Sequence, residues 1–200
     1  MEFILYDTEY TSWEGSLQRL WSGKGEEKEI VQISAILVKD LGSLNGTEFF
    51  SVYTKPIINP ILSNYFINLT GIKQSYIEEF GVSIEEGLKK FIAFSSNKIC
   101  LCWGDDMKVI EENIKIHNLD LKIAIKKNID VRTLFEKYDI NTSNYNSGNI
   151  ESFSELKTII KSGSEHNALS DCISMLSGII KLKTEYGENL FNSRFNSLVE

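Results

Sequence analysis

Cysteine, proline, histidine and long apolar runs are all scarce in this chain, and each shortage excludes something. Three cysteines in 200 residues are an odd count. Cys100-x-Cys102 matches neither a zinc-ribbon nor a redox spacing, which argues against a disulfide framework and a thiolate metal site. Cys100, Cys102 and Cys172 read as buried reduced thiols, which pack as small hydrophobes. Two prolines and 42% apolar content describe an ordinary globular chain rather than a polyproline or low-complexity one. No apolar run is long enough for a transmembrane span or a signal peptide, so a cytoplasmic location is expected. Positive charge is also short, with 21 Lys and Arg against 28 Asp and Glu, a net charge of −7. That argues against a broad basic face that coats duplex nucleic acid, though not against a narrow site that grips a few phosphates through bound cations.

What is present begins with Phe3-Ile4-Leu5-Tyr6-Asp7-Thr8-Glu9-Tyr10. Four consecutive apolar residues read as a strand buried on both faces. Side chains two apart on a strand share a face, so Asp7 and Glu9 leave the sheet together while Thr8 points the other way. Taken alone the pair could simply be solvated; held side by side at the end of a core strand, two such charges call for a cation between them.

The rest of the chain supports one α/β domain over residues 1–200, with a core of about 3–183 and a helical tail over 184–200. Residues 11–28 form a long polar connection containing Trp13 and Trp21, a length that points to function. Strands are predicted over 29–40 and 47–56, with Gly42, Asn45 and Gly46 marking a hairpin connection. A short helix over 62–70 should stop at Gly71, and a charged-flank helix should cover 84–96. A fourth strand at 98–103 ends at Gly104, followed by a helix over 106–118. A fifth strand at 128–131 leads into a helix over 132–138. After a polar loop at 141–149 come helices over 153–161 and 167–183. The order predicts a mixed five-stranded sheet, three antiparallel strands followed by two parallel ones, flanked by helices. Ligands collect at the carboxyl ends of parallel strands, where Asp7, Glu9, Asp105 and Asp106 would converge. Asp106 shares the apolar stripe of Met107, Ile110 and Ile114, whereas Asp105 suits the helix N-cap. A last acidic element is His166-Asn167-Ala168-Leu169-Ser170-Asp171, with Asp171 about one turn into the final long helix and His166 on its entry loop.

Asp7-Thr8-Glu9, then Trp103-Gly104-Asp105-Asp106, then His166 to Asp171, in that order, resemble the DEDDh branch of the DnaQ-like 3′–5′ exonucleases. The segment 8–34 is similar to bacterial exonuclease-domain proteins close to the small-RNA-trimming exoribonucleases. Residues 56–71 (PIINPILSNYFINLTG) are similar to that family's Pro-x-x-x-Pro-x-Leu-Ser-x-x-Phe-x-x-Leu-Thr-Gly segment. The resemblance implies an RNase H-like fold and a metal-dependent 3′–5′ exonuclease of single-stranded nucleic acid 3′ ends, RNA favoured over DNA. It assigns Asp7, Glu9, Asp106 and Asp171 to two divalent cations, Mg²⁺ or Mn²⁺, and makes His166 the general base. Hard carboxylates do select such cations, and an imidazole can take a proton from water near neutrality. Among substrate contacts it implies the Thr8 backbone amide, with Phe66 and Leu69 stacking or wedging bases and Tyr10 and Trp13 as further candidates. For Tyr10 and Trp103 core packing is the plainer reading. Asp130 is expected to be structural, His117 surface or structural, and the basic residues Lys122, Lys126, Lys127, Arg132 and Lys137 a solvated face. The competing class is a nucleic-acid-binding or partner-docking module on the same fold with little turnover.

Overall fold

The computed structural model describes residues 2–157 and 166–200. Strand β1 (Phe3–Tyr10) is central, between antiparallel β2 (Ile30–Val38) and parallel β5 (Ile99–Cys102). Beyond β2 lies antiparallel β3 (Glu48–Lys55), and beyond β5 lies parallel β6 (Lys127–Asp130). The five expected strands are therefore present in the expected directions. A sixth, β4 (Val82–Ser83), adds two residues parallel to the end of β3, giving the order β4-β3-β2-β1-β5-β6. So brief a strand has no periodicity to betray it.

The helices are α1 (Asn64–Thr70), α2 (Gln74–Phe80), α3 (Ile84–Ser95), α4 (Asp106–Ile116), α5 (Arg132–Glu136), α6 (Ala168–Tyr186) and α7 (Glu188–Val199). Ser63 caps α1 by accepting from the Phe66 amide, and Gly71 ends it in the left-handed conformation, φ 74°. Helix α2 was not expected, because its seven residues have no capping side chain. The helix expected over 153–161 is not found in its described part. Phe153 closes a short 3₁₀ turn, Ile150–Phe153, and 154–157 are not helical, while 158–161 lie outside the described residues. The expected tail is helical, separated from α6 by Gly187 at φ 84°. No helix among the described residues is long and apolar enough to cross a membrane.

Two apolar layers clamp the sheet, and β1 contributes alternately to each. Phe3 and Leu5 enter a cluster with Leu134 and Phe135 of α5, Met175 and Ile179 of α6, and Phe191 and Phe195 of α7. Ile4 and Tyr6 enter the opposite one, with Leu88 and Phe91 of α3 and Val109 and Ile110 of α4. Burying each such side chain contributes about 1.5–3 kcal/mol. A third cluster holds Val31 with Leu62, Phe66, Ile72 and Ile77, seating α1 and α2 beyond the sheet's end. Gly178 lets α6 lie close to its neighbours: a Cβ there would stand 2.9 Å from Phe135 Cζ and 3.5 Å from Ile150 Cγ2. All three cysteines are buried free thiols, and burial pushes Cys100 and Cys102 up to about 12.

Candidate active site

The alternation of β1 decides which helix meets which side chain. Asp7 and Glu9 continue the Phe3–Leu5 face, over which α6 brings Asp171. One carboxylate oxygen from each of Asp7, Glu9 and Asp171 lies within 4.8 Å of the others, a group that could hold a metal ion. Asp106 arrives from the opposite layer, as the first residue of α4, and stands outside that triplet. Its Oδ1 accepts a short hydrogen bond from the Thr8 hydroxyl. The Thr8 side chain is thus committed to the site: it does leave the face of Asp7, as expected, but meets Asp106 there.

The turn that delivers Asp106 is built in detail. Gly104 follows β5 at φ 79°, where a Cβ would be strained. Its amide donates to Asp130 Oδ1 at 3.2 Å, and Asp130 is in turn forked by Arg132 through Nε (2.8 Å) and Nη2 (2.5 Å). Asp130 is structural, as expected, and the Arg132 pair holds its carboxyl low against the opposing effect of burial. Asp105 occupies the N-cap position but is exposed and makes no side-chain capping bond, which corrects the expectation that it would. With φ −107° and ψ 23° its backbone is not in the extended conformation a capping side chain needs.

On the other side, α6 opens at Asn167, whose side chain accepts from the Ser170 amide at 3.4 Å. Gln32 of β2, buried, accepts from the Ala168 amide at 3.2 Å. His166 has φ 59°, a left-handed conformation that costs a non-glycine residue about 1–2 kcal/mol, and its side chain lines the cavity above the acids. Ser147 donates to Asp171 Oδ2 at 3.0 Å. Nothing in the sequence of the polar 141–149 loop singled out Ser147, nor did β2 single out Gln32.

Electrostatically the acids are under load. Burial first, then the charges of Asp106, Asp171 and Glu9, push Asp7 well above the usual carboxylate range. Burial and then Asp171 and Asp106 do the same to Glu9. Burial raises Asp106 to about 7, the Thr8 hydrogen bonds opposing it. Hard oxygen donors crowded together against their own repulsion are a fitting seat for divalent cations.

The acids floor a cavity of about 380 Å³, within the range of small-ligand clefts. One wall is the loop after β1, with Ser12, Ser16, Leu17 and Trp21; the other is α1, with Tyr65 and Leu69. Leu69 is where the sequence placed it. Phe66 is not: it is 1% exposed, packed in the third cluster, and Tyr65 takes the cavity side. Trp13 does not line the cavity either; it is half-buried at the loop's turn, its amide donating to Ser16 Oγ. Tyr10, named both as a substrate candidate and as core, and Trp103, read as core, pack against the two main clusters and also line the cavity. Tyr10 packs on Trp21 with ring centroids 5.4 Å apart, and Lys28 Nζ sits 4.7 Å from the Trp21 centroid.

The site is thus an acidic cleft at the carboxyl end of the central strand of a mixed α/β sheet. No protein-family model and no curated protein matches the chain, but solved structures do. The nuclease domain of 3′hExo, a DEDDh family member bound to rAMP, superposes with a TM-score of 0.74 at 21% identity, covering 92% of each chain. Cell-death related nuclease 4 (CRN-4) gives 0.70 at 17% identity, over 92% of this chain and 64% of that one. The zinc-bound E. coli ExoI–ssDNA complex gives 0.70 at 15% identity, over 98% of this chain and 43% of that one. The chain thus has the RNase H-like fold of these nucleases and spans less than two thirds of CRN-4 and of ExoI.

Proposed function

We propose that the chain is a single-domain, metal-dependent 3′–5′ exonuclease that removes 5′-mononucleotides from single-stranded 3′ ends, with RNA preferred. The observation that carries the reading is the four-carboxylate floor of one cavity, with an imidazole on its rim. Asp7, Glu9, Asp106 and Asp171 would hold two divalent cations, Mg²⁺ or Mn²⁺, which when bound make water nucleophilic and neutralise the departing 3′-oxygen. His166 accepts the proton of the attacking water. Thr8 keeps Asp106 oriented through both its hydroxyl and its backbone amide, so the amide expected to meet the terminal sugar is already engaged, and Ser147 orients Asp171. Leu17, Trp21, Tyr65 and Leu69 receive the terminal bases, which stack on aromatic and apolar surfaces without regard to sequence.

The preference for single strands over long duplexes draws on the net charge of −7, and that for RNA on the resemblance of residues 56–71 to the RNA-trimming branch. A cytoplasmic setting is part of the same reading. The test is a ladder. 5′-labelled single-stranded RNA and DNA of one sequence are incubated with Mg²⁺, Mn²⁺ or EDTA. Stepwise shortening from the 3′ end, only with metal and faster on RNA, is expected. Cleavage of a circular single strand, or full activity in EDTA, would overturn the reading; faster digestion of DNA would overturn its RNA part.

A further inference from the structure

Glu29 is fully buried, and it belongs to neither the acidic cluster nor the cavity lining. Its carboxylate accepts from three consecutive amides, Ile57 and Ile58 on Oε1 at 2.6 and 2.8 Å and Asn59 on Oε2 at 2.5 Å. His117 at the end of α4, its side chain 6% exposed, brings Nε2 to 3.4 Å from Oε1, and that nitrogen has no hydrogen-bond partner among the described residues. A buried carboxylate is tolerated only with such partners, and charge-assisted bonds to amides are among the strong ones.

The backbone of the same residue fastens the other wall. The Glu29 carbonyl accepts from the Thr11 amide at 2.9 Å, and the Glu29 amide donates to Thr11 Oγ1 at 3.0 Å. These bonds close the neck of the 11–28 loop, and the Thr11 carbonyl accepts from Trp21 Nε1 at 2.9 Å. Residues 57–61, which lead into α1, bury no apolar side chain. Their hold is polar, through Glu29 and through Gln74, which accepts from the Leu62 amide at 2.8 Å and donates to the Pro60 carbonyl at 3.1 Å.

We infer that Glu29 is a positioning residue for the gap between the two walls of the cavity, its backbone holding the neck of the Trp21 wall and its carboxylate the 57–59 approach to the Tyr65–Leu69 wall. It acts alongside the bond from Ser63 Oγ to the Ser12 carbonyl at 2.5 Å and the packing of Phe66. The inference rests on the exonuclease reading for what the gap receives, a nucleotide 3′ end, but not for the anchoring itself. Glu29 touches neither the acids nor His166, so its loss should loosen the grip on substrate and spare the chemical step.

Glu29→Gln and Glu29→Ala are compared with wild type and with Glu85→Gln, an exposed control. Hydrogen exchange at Ile57–Asn59 should quicken in both Glu29 variants. KM for a single-stranded oligonucleotide, and its Kd in Ca²⁺, should rise roughly five- to fifty-fold in the alanine variant with kcat within about three-fold. The glutamine variant, which keeps the shape and one acceptor oxygen, should fall between. Unchanged exchange at 57–59 would overturn the anchoring, even if Glu29→Ala did not fold and only Glu29→Gln could be measured. Faster exchange with kcat, KM and metal affinity all impaired together would reduce Glu29 to a stability residue and overturn the positioning role. A wild type that neither binds nor cuts would overturn the exonuclease reading instead, with exchange still judging the anchor.

Discussion

The Thr8 hydroxyl donates to Asp106, tying the central strand β1 to the start of α4 across 98 positions of sequence. Thr8 is the only residue between Asp7 and Glu9, so the strand that presents two carboxylates to one side also steadies a third from the other. Asp106→Asn can still accept from Thr8 but cannot ligate a cation as a carboxylate does. It should abolish hydrolysis while raising the metal-free melting midpoint by roughly 2–6 °C at pH 8, since one buried charge is gone. Asp105→Asn, exposed and without a capping bond, should change stability by less than about 0.5 kcal/mol and keep most activity. Paired thermal melts and oligonucleotide assays check both.

Metal and pH should act in opposition on stability. The unfolded chain ionises its aspartates near 3.8, whereas burial holds Asp106 to about 7 and keeps Asp7 high as well. In that window the folded protein binds more protons, so raising the pH disfavours it. The metal-free melting midpoint should therefore fall as pH rises from about 4 to about 7, and Mg²⁺ should restore it chiefly at the upper end. A midpoint that climbs with pH in EDTA would contradict the upward shifts.

His166→Ala should lower turnover by roughly 10²–10⁴-fold, the range of a lost proton acceptor. Calorimetric Mg²⁺ affinity and oligonucleotide binding in Ca²⁺ should stay close to wild type. An unchanged rate would remove His166 from the chemistry.

Tyr65 and Phe66 separate the grip from the core. Phe66→Ala empties a fully buried site and should cost about 3–5 kcal/mol in urea denaturation. Tyr65→Ala should leave the denaturation midpoint nearly unchanged and raise KM roughly ten-fold, the cost of one lost stacking contact. The reverse pattern would mean that α1 is rotated by one residue.

The legible parts of the sequence were those with a local signature. Four apolar residues running into Asp7-Thr8-Glu9 marked the central strand, and the spacing of Asp106 to Ile110 marked which aspartate turns inward. Phe66 could not be assigned from its motif, because two adjacent aromatics, Tyr65 and Phe66, sit on a seven-residue helix whose rotation is decided by contacts with Val31 and Ile77. Asp105 looked like a cap because Asp commonly is one; the left-handed Gly104 before it sets a backbone geometry that its own side chain does not reveal. The side chains of Ser147, Gln32 and Glu29 act through partners 24 to 136 positions away, and no local pattern records such pairings. Residue identity carried the chemistry, and only the chain's path revealed the supports.

The clearance at Gly178 has a consequence for the acids. Asp171 is seven residues earlier on α6, two turns and about 10 Å along the axis on the same face. A Gly178→Ala methyl would meet the Phe135 ring at 2.9 Å, and any shift of α6 that relieves the clash carries Asp171 with it. The placement of one of the four acids thus depends on a mid-helix residue that carries no functional group at all.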